Sequence, residues 1–498
     1  MAEVSFEQLQ TRLVPLWKSI ERMNQDEQTI VVVPSLTVDA GDLTGAKLQA
    51  YEERFLFLLL LLRQPRARLV YVTSHPILPS VVDYYLDLLP GVIPSHARKR
   101  LFLVAPLDGS ARPLSQKVLE RPRLLKRLRE LIVDPARAHL VPYNTTELER
   151  DLAVALGIPM YGADPKHFHF GTKTGCRLLF QEEGIPHPIG RENLSSLADA
   201  VAAIGAMRAE RPDLEQVLLK LNEGVSGEGN ARVDLRGLPA PGSAGEAEVI
   251  EERVRAMSFE SATTVDRYLA KLADAGGVVE ELITGEEFRS PSVQLRVTPL
   301  GKVELLSTHD QLLGGPSGQT YIGCRFPADI GYAPQITAQA AKIGARLAKE
   351  GVIGRFALDF VTVRRNGAWD PYAIELNLRK GGTTHPFLTL QFLTDGAYDP
   401  EGAVFRAPSG QEKHFVASDH VENHAYRGLT PDDLFDIAAR RGLHFDASRQ
   451  TGVVFHMMAA LAEEGWLGLT AVGNSAADAD RIYRDAIAVL DEEAAALP

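Results

Sequence analysis

Between Arg355 and Pro386 the chain reads RFALDFVTVRRNGAWDPYAIELNLRKGGTTHP, which sets Asp359, Glu375, Asn377 and Arg379 at fixed spacings around the pair Asn366-Gly367. Asn-Gly between two runs rich in β-branched and aromatic residues is a strong hairpin signal. Folding at that turn places Asp359 opposite position 374, one residue from Glu375. Side chains alternate along a strand, so Glu375 and Asn377 share a face. Two carboxylates and an amide then converge on one point, with the guanidinium of Arg379 just beyond. Such an oxygen-rich set suits Mg²⁺, which takes one or two carboxylates together with substrate phosphates. The plain alternative is a solvated polar face. It fits less well, because the flanking residues are apolar enough to be buried.

Three further stretches carry possible chemistry. Residues 218–235, LLKLNEGVSGEGNARVDL, are two strands joined by a loop with Gly224, Gly227 and Gly229. Glycines let successive N–H groups approach an anion closely, and Lys220 on the first strand could reach the same phosphates. An ordinary hairpin loop with an exposed lysine is the alternative. Residues 278–288, VVEELITGEEF, form an apolar strand that turns acidic. Its edge could offer backbone donors and acceptors to a flat heterocycle, and Glu287 could hold two ribose hydroxyls; alone, Glu287 reads equally as a solvated turn residue. His309-Asp310 precedes the glycine pair Gly314-Gly315, a loop able to close over a substrate. Lys173 in isolation is a surface lysine. His167 and His169 lack a third ligand nearby and read as structural, and His414, His420 and His424 read as solvated.

The elements that must position these groups fall into three parts. Residues 28–33 (QTIVVV), 68–73 and 101–106 are short apolar runs separated by helical stretches, a β-α-β pattern with a parallel sheet. Residues 116–133 read as helical and 139–143 as another strand. No G-x-G-x-x-G follows the first strand, which disfavours a dinucleotide. Phe55–Leu62, FLFLLLLL, is far short of the roughly twenty residues of a membrane span and reads as a buried helix. From about 164 the character changes. A helix ends at Gly184 before Ile185-Pro186-His187-Pro188. Segment 236–246 reads as an exposed loop, 278–326 as strands and hairpins, and 333–350 as a helix. After about 405 come a helix starting at Thr430-Pro431, a strand at 452–460 and a terminal helix from about 475.

A chain of 498 residues, 45% hydrophobic and 24% charged, is an ordinary globular composition and long enough for roughly three domains. A net charge of −12 with interspersed signs argues against a nucleic-acid surface. Cys176 and Cys324 are the only cysteines. They give no disulfide framework, and the first residues lack a secretory pattern, so a cytoplasmic setting without membrane attachment is expected.

Taken in order, Lys173, GIPHP, Lys220 with its glycine loop, the acidic strand, Asp359 and Glu375-x-Asn377-x-Arg379 resemble the ATP-grasp superfamily, over roughly 164–400. The resemblance implies a fold that closes ATP between two lobes. By position it makes Lys173 and Lys220 the phosphate-binding lysines, and Ser226, Gly227 and Gly229 the lid loop. Glu280, Glu281 and Ile283 become the adenine hinge, with Glu287 the ribose acid. Asp359, Glu375 and Asn377 become ligands of two Mg²⁺ ions in the family pattern, and Arg379 stands by the acyl-transfer centre. Many superfamily ligases carry an arginine two residues before the first metal acid. Position 357 is alanine here, and Arg355, on the same strand face, is the substitute. The stretches HDQLLGGPSGQTYIGCRFPA and GLTPDDLFDIAARRGLHFDASRQTGVVFHMMAALAEEGWLGLTAVGNS look like pheganomycin-type peptide ligases of natural-product pathways. That resemblance implies a Rossmann-like pre-ATP-grasp domain (1–163), a two-lobed ATP-grasp core (164–405, lid about 187–282) and a small α/β C-terminal domain (406–498). The expected activity is ATP-dependent joining of a carboxylate donor to an amino-acid or peptide amine through an acyl phosphate, in an enzyme that could be a homodimer. His309, Asp310, Gly314 and Gly315 are the candidate substrate contacts. The rivals are an ATP-dependent phosphotransferase, for which no phosphoryl-carrier histidine domain is apparent, and a non-catalytic ATP-binding protein, which need not keep a full ligand set. The lid also carries an insertion at 236–262 with no role legible from sequence.

Overall fold

The computed structural model describes residues 4–21, 27–37, 43–223, 229–259, 263–314 and 320–496. Strands Gln28–Val33, Ala67–Val72, Leu101–Val104 and Ala138–Pro142 make the expected parallel sheet, with Gln28–Val33 between Ala67–Val72 and Ala138–Pro142. Its strands are nearly continuous apolar runs, as a sheet covered on both faces requires. The predicted helix at 116–133 is two helices, Leu114–Leu119 and Pro122–Leu131, because Pro122 removes a helical N–H and restarts the turn as an N-terminal residue. The leucine run is a 3₁₀ helix, Leu56–Arg63, buried along almost its whole length.

Residues 190–281 build an antiparallel five-stranded sheet, which holds Lys220 on strand Gln216–Leu221 beside strand Gly277–Glu281. The 236–262 insertion is less irregular than its composition suggests. Helix Glu246–Arg255 packs its apolar face, Ile250 and Val254, into the core formed by Ala203, Ile204 and Met207 of helix Leu197–Glu210. A buried Arg208–Glu246 ion pair joins the two helices. Ser258–Phe259 then adds an edge strand.

The largest sheet has nine strands and positions the acids. Gly354–Arg365 and Ala368–Asn377 form the hairpin, with Asn366 and Gly367 at φ +51° and +80°. Two successive positive φ values are what a type I′ turn needs. One face of strand Gly354–Arg365 presents Phe356, Leu358 and Phe360 to Ile336, Ile343 and Leu347 of helix Ala333–Lys349. Burying such side chains is worth about 1.5–3 kcal/mol each. That apolar face fixes the register and turns Asp359 to the opposite side. The sheet does not stop at the core. Thr320–Phe326 pairs with His414–Glu422, which pairs with Trp466–Gly473 and through it with Gly452–His456. Helix Pro431–Arg441 starts at Thr430, whose hydroxyl and Asp433 form a reciprocal cap. One apolar cluster runs from Leu56 and Tyr71 through Phe326 and Phe387 to Leu469 and Leu490, so all three sequence segments share a core. Among the described residues no helix is long and apolar enough to cross a membrane.

Candidate active site

Asp359 pairs directly with Glu375, not with position 374. The correction comes from a β-bulge. Phe360 pairs with Ala373 and Asp359 with Glu375, leaving Ile374 as the extra residue. The bulge brings the two carboxylates face to face, with Asn377 on the same side opposite Ala357. Asp359 accepts hydrogen bonds from Asn377 Nδ2 at 2.8 Å and from Gln311 Nε2 at 2.9 Å. Burial, then the neighbouring Glu375, push the Asp359 pKa up to about 6, against the Ser292 hydroxyl, Lys173 and Arg379. Burial acts the same way on Glu375. There the opposing charge of Lys173, helped by Arg379 and Lys220, wins and holds the carboxyl below its ordinary range.

The two lysines converge on this group. Lys173 is the first residue of helix Lys173–Glu182, capped by Thr172, and its Nζ lies 2.5 Å from Glu375 Oε1. Burial alone would lower the Lys173 pKa, but Glu375 raises it. Lys220 pairs with Glu280, which also accepts from Arg177 Nη1 at 3.0 Å. Lys220, Arg177 and Lys173 together hold Glu280 ionised despite burial. Two buried lysines neutralised only by carboxylates suit an incoming anion, which can take over their charge. Two facing carboxylates, one of them with a raised pKa, suit a hard cation. The donor set of Asp359, Glu375 and Asn377 therefore fits Mg²⁺.

Not every sequence-derived residue joins the group. Glu280 turns inward as the partner of Lys220. Glu281 bonds to Ile189 through both its N–H and its side chain, and Leu282 N–H bonds to Gln216, so the chain parts from the ladder only at Ile283. Glu287 stands in a surface ion pair with Arg364 at 3.0 Å and Arg289 at 3.4 Å. Gly229 has φ +88°, and its carbonyl accepts from Tyr268; Ser226 and Gly227 lie outside the described residues, as does Gly315.

Arg355 shares the face of Asp359 but is not at the acids. Four residues along a strand is about 13 Å. It lies half-buried near Arg296, Tyr161 and Glu304, and desolvation with Arg296 lowers its pKa to about 10. His309 also departs from its expected cleft role. It is fully buried among Phe326, Phe387 and Phe415, bonded to Ser307 at 2.8 Å, and burial lowers its pKa to about 3. Asp310 points to the other face, where it accepts from Tyr332 Oη and Asp329 N–H. Gly314 ends strand Val303–Gly314 opposite Thr320.

Sequence reasoning missed Gln311, Ser292 and Arg177. The available signal for Gln311 was its position two residues past His309, hence on the same strand face. Gln311→Leu removes one donor to the Asp359 carboxylate. The apparent Mg²⁺ requirement should rise by about fivefold, since such bonds contribute roughly 1 kcal/mol; an unchanged Mg²⁺ titration would show that Gln311 does not tune Asp359.

A cleft runs from Glu375, Asn377 and Arg379 to Asn222 and Glu223 on the lid side, and to Asn144, Thr145 and Thr146 in the loop after strand Ala138–Pro142. Arg379 lies 5.9 Å from the Tyr143 ring. Cations from one part thus meet the polar loop of another across the cleft.

Comparison with known proteins agrees with this geometry. Residues 243–401 match the family described as IQCH-like, ATP-grasp, and residues 433–486 match the PGM1 C-terminal domain. The L-propargylglycine–L-glutamate ligase of Streptantibioticus cattleyicolor is 31% identical over 446 residues, covering 88% of this chain and 89% of that protein. In fold, the chain is similar to biotin carboxylase from Campylobacter jejuni, with a TM-score of 0.56, 12% identity and coverage of 93% and 91%. It is also similar to the biotin carboxylase domain of Hydrogenobacter thermophilus 2-oxoglutarate carboxylase, with a TM-score of 0.55, 12% identity and coverage of 92% and 89%. The chain belongs to the ATP-grasp carboxylate–amine ligases, among the pheganomycin-type peptide ligases.

Proposed function

We propose that this enzyme joins the carboxylate of one amino-acid-like substrate to the amine of an amino acid or peptide, forming ADP and phosphate. The observation that carries this reading is the convergence of Lys173 and Lys220 on Glu375 and Glu280 beside Asp359. The amino-acid substrates named for the Streptantibioticus relative support the substrate class.

In this reading a carboxylate oxygen attacks the γ-phosphorus of ATP and the bond to ADP breaks. The amine then attacks the acyl carbon, phosphate leaves, and the amine proton passes to solvent. Phosphoryl transfer needs charge stabilisation and alignment more than covalent help. Lys173 and Lys220 exchange their carboxylate partners for phosphate oxygens, and Arg379 faces the acyl phosphate. Asp359, Glu375 and Asn377 would hold Mg²⁺, which when bound would neutralise charge on the phosphates. The lid and the N-terminal loop at 144–146 keep water from the acyl phosphate, which would otherwise hydrolyse. In this reading the chain divides into its three domains at about 163 and 405. A homodimer and a cytoplasmic setting complete the proposal.

The test is an ADP-release screen of amino-acid and other carboxylates, with and without amino-acid and peptide amines, followed by product mass. ADP release that requires both substrates, and a product lighter than their sum by one water, is the expected result. A phosphorylated product that accumulates with no amide would replace the ligase with a phosphotransferase.

A further inference from the structure

Outside the cleft, three side chains from distant parts of the sequence meet in the interior. His385 lies in helix Thr384–Thr394, Asp419 in strand His414–Glu422, and His456 at the end of strand Gly452–His456. All three are buried. The two Nε2 atoms are 3.0 Å apart, and each is 3.1 Å from the same oxygen, Asp419 Oδ1. Among the described residues this is the one group of three or more such side chains close enough to share an ion.

Hydrogen bonding alone does not account for the triangle. If both Nε2 atoms carry hydrogen, both donate to Oδ1 and the two N–H groups face each other at 3.0 Å. If only one does, the other ring turns a lone pair onto a carboxylate oxygen at 3.1 Å. A cation facing all three lone pairs removes the conflict. The spacing fits one. Zinc binds imidazole and carboxylate at about 2.0–2.2 Å, so three donors at these separations place it roughly 1 Å out of their plane, with a further position open.

The surroundings hold the donors in place. The ladder between His414–Glu422 and Trp466–Gly473 is irregular between Ser418 and Val421, which frees Asp419 from regular pairing. Its second oxygen, Oδ2, is held by Arg54 Nη2 at 3.1 Å, so Oδ1 is aimed by a partner behind it. Gly468 leaves room for the His456 ring; a Cβ there would come within 2.1 Å of it. Two imidazoles and one carboxylate select a first-row divalent transition metal, whereas the all-oxygen set at Asp359 suits Mg²⁺.

We infer that His385, Asp419 and His456 form a structural site for a divalent transition metal, of the zinc class, which ties the C-terminal segment to the core. The site does not depend on which substrates the enzyme joins. The full chain, produced with an affinity tag that binds no metal, is dialysed against EDTA and its metal content measured. It is also unfolded and refolded with ZnCl₂ or with EDTA. The expected result is about one zinc per chain, retained through dialysis, in wild type and in Glu375→Gln, with a higher thermal midpoint after refolding with zinc. Asp419→Asn and His456→Ala should lose that zinc. The inference is overturned if wild type holds no stoichiometric metal as purified and gains neither zinc nor stability on refolding. It is equally overturned if folded Asp419→Asn and His456→Ala proteins keep the same zinc content as wild type. The wild-type refolding arm decides the matter even where a variant fails to fold.

Discussion

Glu375→Gln should lower the rate of ADP formation by on the order of 10³-fold, the scale seen when preorganised charge is removed from a transition state. The substitution keeps the size of the side chain and removes two things together. The hard-cation set drops from two carboxylates to one, and Lys173, 2.5 Å from Glu375, loses its buried counter-charge. Breaking a buried pair costs about 3 kcal/mol. The hairpin around it is still held by its turn and by the core under Phe356, Leu358 and Phe360. The variant should therefore keep a native circular dichroism spectrum while losing turnover. Turnover near wild type in the folded variant would remove Glu375 from the metal group, and with it the assignment of the hairpin as the reaction centre.

The second large effect is on pH. Asp359 has its pKa pushed up to about 6 by burial and by Glu375. Below that pH a proton occupies the oxygens that would bind Mg²⁺. The apparent affinity for Mg²⁺ in ADP formation should be level above about pH 7 and fall roughly tenfold for each pH unit well below 6. The stability consequence has the opposite sense. Unfolded Asp titrates near 3.9, so between about 4 and 6 the metal-free native state holds a proton that the unfolded chain has released. Metal-free stability then falls as pH rises through that window, and added Mg²⁺ restores it above the window. Mg²⁺ titrations at several pH values, paired with thermal melts, read both effects. An Mg²⁺ affinity that does not change with pH would mean that Asp359 is not a ligand.

Local signals carried far in this chain. Asn366-Gly367 announced a hairpin, Thr430 capped the helix it precedes, and alternation put Glu375 and Asn377 on one face. The bulge at Ile374 was not legible, because nothing in its own residue type distinguishes it from a regular strand position. Long-range partners were harder still. Gln311 reaches Asp359 only because two strands far apart in sequence flank Pro291–Val297; its spacing from His309 gives its face but not that partner. His309 looked chemical by its neighbours in sequence and proved to be a filler of an aromatic core assembled from Phe326, Phe387 and Phe415. Arg355 matched in face but not in distance along the strand. The buried histidine and aspartate triangle had no motif, since its members are 34 and 37 residues apart on three elements (419 − 385 and 456 − 419).

The pairing of Thr320–Phe326 with His414–Glu422 also settles what the last hundred or so residues do for the part that handles ATP. Without them, Thr320–Phe326 would be a free rim of unpaired amides and carbonyls, the kind of surface on which chains stick to one another. Trimming the protein back to its nucleotide-binding portion would thus yield not a smaller enzyme but a particle primed to polymerise.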